Sequence, residues 1–240
     1  MKVKDKKLPD NKECYILGTS ESLEKTPWDM KGVDYLACWP VVTVPPSQGH
    51  RIDKVFELHE ERTWIDYKHL IVNYKDKYPK TDIYMQRIFP GLEFAKVFPI
   101  NEIQDTIPYY LLKRYFTNSI AYMVAYAIYS GYKKINLSGI NLCVEEEEYS
   151  MQRSCVEAWL AYALGKEIEI TIMQESALFK CPYMYGYEGH KDTQIKLVQL
   201  KETVILGLNN LKKKAYEAQK DADIQEGAVR ILDHMIKNNF

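Results

Sequence analysis

The pentapeptide FELHE, residues 56–60, places a histidine two positions after a glutamate at the end of an apolar run. If that run is a β-strand, alternation turns Glu57 and His59 to the same side. A carboxylate beside an imidazole tunes it for acid or base work near neutral pH. A histidine at the surface end of a strand is the plainer reading, but an apolar strand has little other reason to carry Glu57. His59 and Glu57 are the candidate catalytic pair.

Three further clusters carry groups that suit anions. In YILGTSESL, residues 15–23, an apolar run enters Gly18 and then Thr19, Ser20 and Ser22. Glycine lets a ligand approach the backbone, and hydroxyls beside free N–H groups at a helix start suit phosphate. A strand, turn and helix with no ligand would look the same. Neither the three-glycine dinucleotide fingerprint nor the lysine-bearing phosphate loop is present. Thr117, Asn118 and Ser119 open an apolar segment. Thr117 reads as its N-cap, which explains Asn118 and Ser119 only in part. The segment 141–153, NLCVEEEEYSMQR, offers Asn141, Gln152 and Arg153. The Arg153 guanidinium suits a phosphate, or else pairs with a nearby glutamate. Glu145 to Glu148 could hold Mg²⁺ together with a bound phosphate, although a solvated acidic first turn accounts for them equally. No set of residues reads as a dedicated metal site. Tyr183, Tyr185 and Tyr187 could cover a base or pack the C-terminal helix.

These groups need a scaffold. Strands are expected at 13–18, 34–39, 54–58, 81–86, 134–137 and 167–173, with a turn and helix start in TSESLEK, a loop over 44–50 and a loop with short elements over 87–110. A helix buried on most faces is expected over 117–130, stopped by Gly131, because Ile120, Met123, Val124, Ala127 and Ile128 form one apolar stripe and Ala121, Tyr122, Ala125 and Tyr126 extend it. A second helix over 149–164 should face inward with Met151, Cys155, Ala158, Trp159 and Tyr162. Alternating strands and helices imply an α/β, Rossmann-like, mostly parallel sheet with helices on both faces. The domain should span 13–190, after a flexible tail at 1–12 and before a helical extension at 191–240. In that extension Leu197, Leu200, Val204, Leu208, Leu211, Ala215 and Ala218 recur every 3 or 4 residues. The stripe fits a homodimer or a helix folded onto its own domain. A break is expected at 221–223, before a last helix with Val229, Leu232 and Ile236.

Composition narrows the classes. The 240 residues carry a net charge of −1, so no overall field draws the chain to nucleic acid. Five cysteines, none at a CxxC spacing, read as free thiols in a reducing compartment. No apolar run reaches membrane length and no signal-peptide core opens the chain, so a cytoplasmic protein is expected.

ILGTSESLEKTPWDMKGVDYLAC and YFTNSIAYMVAYAIYSGYKKINLSGINL together resemble a Rossmann-like group. It includes the bacterial sialyltransferases that use a cytidine-activated sugar, the motility-accessory glycosyltransferases and the MptE-like pterin pyrophosphokinases. The resemblance spans residues 13 to about 175, and the chain also resembles phage-encoded proteins of this type. It implies a nucleotide or nucleotide-sugar ligand at the carboxyl edge of the sheet, and a transferase acting on a nucleotide-activated donor. Two departures matter. Glu21 stands where the group often carries proline, and Asn141 stands where it carries an aspartate. An amide cannot be a general base or a carboxylate ligand. The alternatives are a protein that sequesters a nucleotide without turnover, and an assembly protein with no ligand.

Overall fold

A computed structural model of the chain describes residues 12–142, 147–181, 186 and 192–237. The chain divides into two units, Met1–Phe179 and Lys180–Phe240. The first holds seven strands: β1 Glu13–Leu17, β2 Val33–Cys38, β3 Lys54–Glu57, β4 Asp82–Met85, β5 Lys96–Val97, β6 Lys134–Ser138 and β7 Glu169–Ile172. They form one sheet in the order β5-β4-β3-β2-β1-β6-β7. Every pair is parallel. The expected Rossmann-like α/β architecture is therefore the observed one.

Strand β1 lies in the middle, with Tyr15 opposite Tyr35 of β2 and Asn136 of β6. The chain moves from β1 outward to β5, then returns to the other side of β1. The strand order thus reverses between β1 and β6, where open α/β sheets form a crevice at their carboxyl edge. The helices are α1 Glu61–Trp64, α2 Lys68–Lys77, α3 Ile100–Thr106, α4 Ser119–Tyr129, α5 Glu147–Leu164 and α6 Asp192–Lys237. Seven of the eleven α4 residues are buried, in keeping with its apolar residues on all sides. It packs over β1, β2 and β3 and beside α3 and α5.

Four elements differ from expectation. TSESLEK folds only into a five-residue 3-10 turn, Glu21–Lys25, with Ser22 and Leu23 buried. Helices α1 and α2 were not expected; α1 has four residues and α2 buries Ile71 alone, too little pattern for either to show, while β5 and α3 are short elements of the kind expected in 87–110. On α5 the inward residues are Cys155, Val156, Trp159, Leu160 and Ala163, while Met151 is exposed. That rotates the buried stripe away from the one expected.

The second unit contains α6, continuous over 46 residues with no break at Asp221–Asp223. Exposed acids there do not interrupt a helix that offers i,i+4 partners. Gln219 donates to Asp223 at 2.8 Å, and Arg230 pairs with Glu226 at 3.4 Å. Among the described residues no helix is long and apolar enough to cross a membrane.

Candidate functional site

The loops that leave β1, β2, β3 and β6 surround a cavity of about 640 Å³ together with the start of α4. Nine of the expected residues line it: Gly18, Thr19, Ser20, His59, Thr117, Asn118, Ser119, Asn141 and Gln152. Glu57, Ser22 and Arg153 do not. Among the described residues the lining holds no Asp, Glu, Lys or Arg, and His59 is its one histidine. A more open hollow of about 470 Å³, near Gly131–Lys133 and Gly165–Ile168 at the amino edge, contains none of the candidate groups.

Gly18 requires a correction. The space a side chain would need there is occupied by protein: a Cβ would fall well inside contact with the Gly139 carbonyl oxygen and 2.8 Å from Ile140 Cγ1. A Cβ on Gly139, whose φ is +69°, would strike the Gly18 carbonyl in return. The Gly18 N–H donates to Ser138 O at 2.9 Å and the Ser20 N–H to Gly139 O at 2.8 Å. Two strand ends cross backbone to backbone, which only a glycine pair permits. Gly18 contributes backbone to the cavity wall, and its missing side chain makes room for β6.

Ser22 is corrected for a related reason. It is 3% exposed, and its hydroxyl accepts the Gly139 N–H at 3.1 Å. It ties the turn after β1 to β6. Ser20 stays in the wall, where its hydroxyl accepts the Asn141 N–H at 3.2 Å. Thr19 is exposed and makes no hydrogen bond among the described residues.

At α4 the cap is Asn118, one residue after the expected Thr117. Asn118 has extended backbone angles, φ −159° and ψ 164°, and its side chain accepts the Ala121 N–H at 2.9 Å. Its Nδ2 donates to Gln152 O at 3.1 Å, so the amide is spent on cap and neighbour. Thr117 Oγ1 donates to Met151 O and accepts from Asn118 Nδ2, each at a long 3.5 Å, and caps no helix N–H. The cap satisfies the third N–H of the helix and leaves those of Ser119 and Ile120 free of intrahelical partners. With the Ser119 hydroxyl they present donors and the positive end of an 11-residue helix to the cavity.

Across the cavity, Glu57 is fully buried behind His59. Glu57 Oε1 meets His59 Nδ1 at 2.5 Å and accepts the His59 backbone N–H at 3.1 Å. Oε2 accepts the Tyr67 hydroxyl at 2.9 Å. The Trp64 indole N–H donates to the His59 carbonyl at 3.3 Å and fixes the backbone. The hydrogen bond from Glu57 is the main cause that raises the His59 pKa above 6.5; partial burial works against it. Burial, then the Glu57 charge, push the Tyr67 hydroxyl far up, so it is a donor at any working pH. The carboxylate holds Nδ1 and leaves Nε2 as the imidazole nitrogen without a partner among the described residues. A buried acid that orients a histidine is an arrangement suited to proton transfer.

Asn141 is tied by its backbone: its N–H goes to Ser20 Oγ, and its carbonyl accepts the Ala177 N–H at 2.8 Å. Its side-chain Oδ1 is buried with no hydrogen-bond partner among the described residues. An unpaired buried acceptor in a cavity wall is a place for a ligand donor. Leu142 follows in the left-handed region at φ 50°, an uncommon conformation for a branched residue. Arg153 lies outside the cavity lining, and its Nε pairs with Glu157 at 2.9 Å on the same helix. The paired alternative is the observed one. Glu145 to Glu148 and the tyrosines at 183, 185 and 187 lie outside the described residues and side chains. Among the described residues no three His, Cys, Asp or Glu side chains gather as a metal site. Cys38, at the cavity, is buried and its thiol is pushed up to about 12, which makes it a poor nucleophile.

Four wall or support residues were not anticipated. Pro40 enters from the 3-10 turn after β2. Phe116 and Tyr122 stack at 4.4 Å on the side of α4. Tyr67, ten residues from Glu57, completes the His59 support. Phe116 directly precedes the TNS cluster and could have been read as a wall residue; nothing in the spacing of Tyr67 points to Glu57.

No known protein-family profile matches the sequence, and no curated protein matches it. Solved structures do. The α-2,3-sialyltransferase from Campylobacter jejuni in its apo form is 17% identical, with 71% of this chain and 79% of that chain covered and a TM-score of 0.50. The sialyltransferase CstII from the same organism, with cytidine-5'-monophosphate, is 18% identical over 70% of this chain and 82% of that chain, with a TM-score of 0.46. What this chain shares with the apo enzyme is its fold, a parallel Rossmann-type sheet of the sialyltransferase kind.

Proposed function

We propose that this chain binds a nucleotide-activated donor in the carboxyl-edge cavity and transfers its activated group, in the manner of a glycosyltransferase. The observation that carries the reading is the opposition of two features across one cavity. The N-terminus of α4 supplies donors for phosphate oxygens, and among the described residues no carboxylate lines the wall to repel them. His59, held by Glu57, supplies an acid or base. The phosphates rest on the Ser119 and Ile120 N–H groups and the Ser119 hydroxyl, with Thr19 and Ser20 opposite. The base or ribose lies against Phe116 and Tyr122, with a donor to Asn141 Oδ1. Protonated His59 stabilises charge on the departing nucleotide, or neutral His59 takes a proton from the acceptor hydroxyl. The resemblance of residues 13 to about 175 to the sialyltransferases that use a cytidine-activated sugar makes cytidine-activated sugars the first donors to try.

The test is a panel of nucleotides and nucleotide sugars, with and without Mg²⁺, read by thermal shift and by release of free nucleotide. Stabilisation by the cytidine compounds, with slow release of nucleotide that is lost in His59→Ala, is expected. Stabilisation with no release from any donor would select the sequestering reading. That second reading is favoured by Asn141, whose amide supplies neither a general base nor a carboxylate ligand. No stabilisation by any compound would remove the nucleotide from this cavity.

A further inference from the structure

We propose that α6 is the surface on which two copies of this chain pair, antiparallel, about a two-fold axis between Tyr216 and Glu217. The helix runs 46 residues, and its apolar side chains stand in water: Val204 is 60% exposed, Leu211 65% and Val229 56%. A helix of this length that leaves an apolar stripe uncovered is waiting for a partner.

The occupant follows from the symmetry of the stripe. The positions Val204, Leu208, Leu211, Ala215, Ala218, Ala222, Gln225 and Val229, apolar but for Gln225, advance by 4, 3, 4, 3, 4, 3 and 4 residues, a spacing that reads the same from either end. Its midpoint lies between 216 and 217. Reversing a second copy about that point sets Val204 against Val229, Leu208 against Gln225, Leu211 against Ala222 and Ala215 against Ala218. Leu211 faces a small residue, Gln225 is the one polar member of the seam, and two alanines meet at the centre where the helices must approach most closely.

Charge selects the same direction. Residues 204–216 carry Lys212, Lys213 and Lys214, a net of +3. Residues 217–229 carry Glu217, Asp221, Asp223 and Glu226 against Lys220, a net of −3. Antiparallel pairing lays the basic half of each copy along the acidic half of the other, whereas parallel pairing lays like on like. The overlap from 197 to 236 is ~60 Å long at the helical rise, and a strip about 10 Å wide then covers roughly 600 Å² per copy. That meets the lower bound of a specific interface, about 1,200 Å² in total. A closed two-fold pair uses the stripe fully and leaves no second copy of it free to propagate.

The experiment uses the full chain. Light scattering at micromolar concentration should give twice 28.1 kDa. A monomer mass would overturn the proposal and place α6 against its own domain or in water. The Val204→Asp/Leu211→Asp variant should be monomeric with the thermal unfolding of the first unit unchanged; a variant that remains dimeric overturns α6 as the surface. Direction is read in a Cys181→Ser background by mild oxidation. Val204→Cys combined with Val229→Cys should cross-link between copies, with the 204–229 peptide pair found by mass spectrometry. Val204→Cys alone should not. Cross-linking by Val204→Cys alone would mean parallel helices and overturn the antiparallel arrangement.

Discussion

The two walls of the cavity are made in different ways. Between β1 and β6 the wall is backbone against backbone, with Gly18 and Gly139 so close that neither tolerates a Cβ. Between β3 and α4 the wall is side chains on supports: His59 on Glu57 and Tyr67, and Asn118 folded over the first turn of α4. The first wall contributes shape and has no freedom to exchange a residue. The second contributes donors, a proton site and a helix end, each removable without dismantling the sheet. A glycine beside a cavity is therefore no sign by itself that a ligand touches it. The atoms within reach of its missing Cβ decide.

Substitution separates the two walls. The largest effect is expected from Gly18→Val, which drives a branched side chain into the Gly139 carbonyl. Overpacking against a rigid neighbour costs roughly 1–3 kcal/mol or more, and backbone contact puts this case at the upper end. The variant should melt far below wild type or fail to fold, whatever ligand is present. A well-folded Gly18→Val protein that lacks only nucleotide binding would return Gly18 to the ligand side.

Glu57→Gln comes next. It removes a buried charged acceptor that serves three donors, worth roughly 1–3 kcal/mol by the usual scale for such bonds. The His59 pKa should fall, as a histidine titration followed by NMR would show. The sign of the pH dependence is definite. A histidine whose pKa is raised on folding stabilises the fold fully below 6.5 and ceases to do so as the pH climbs through its folded value. The stability gap between wild type and His59→Ala should be wide at pH 6 and narrow at pH 9. Affinity for a phosphate-bearing ligand should fall over the same rise in pH in wild type, and stay level in His59→Gln. An unchanged His59 titration in Glu57→Gln would break the link between the two residues.

Asn118→Ala removes the α4 cap and should cost about 1 kcal/mol in thermal or denaturant unfolding, while Thr117→Ala costs much less. Equal losses would put the cap back on both residues. The smallest effect is expected from Ser119→Ala. It should leave stability unchanged and weaken nucleotide binding about fivefold, the equivalent of one hydrogen bond of about 1 kcal/mol. Unaltered binding there would move the phosphate away from α4.

Residue order alone determined a good deal. The apolar run into Gly18, the run into Glu57 and the fully apolar 117–130 segment specify strands and a buried helix, because period and composition are local properties. Their alternation specifies a parallel sheet, and a parallel sheet specifies a carboxyl edge. The pairing of Glu57 with His59 was legible because both lie on one short stretch whose geometry alternation describes. Only the tertiary structure decided the rest. Gly139 lies 121 residues from Gly18, and no local pattern tells that a glycine exists for another glycine. Ser22 and Ser20 carry the same hydroxyl, but Ser22 turns into the sheet and Ser20 into the cavity because a 3-10 turn, not a helix, follows β1. Thr117 and Asn118 are both competent caps; Asn118, in extended backbone and hydrogen-bonded to Gln152 O of α5, took the role. Tyr67 reached Glu57 through two short helical turns whose direction depends on the surface they pack against. Chemistry-bearing residue types are written in order along the chain, but which of them face a ligand depends on long-range contacts that no short window contains.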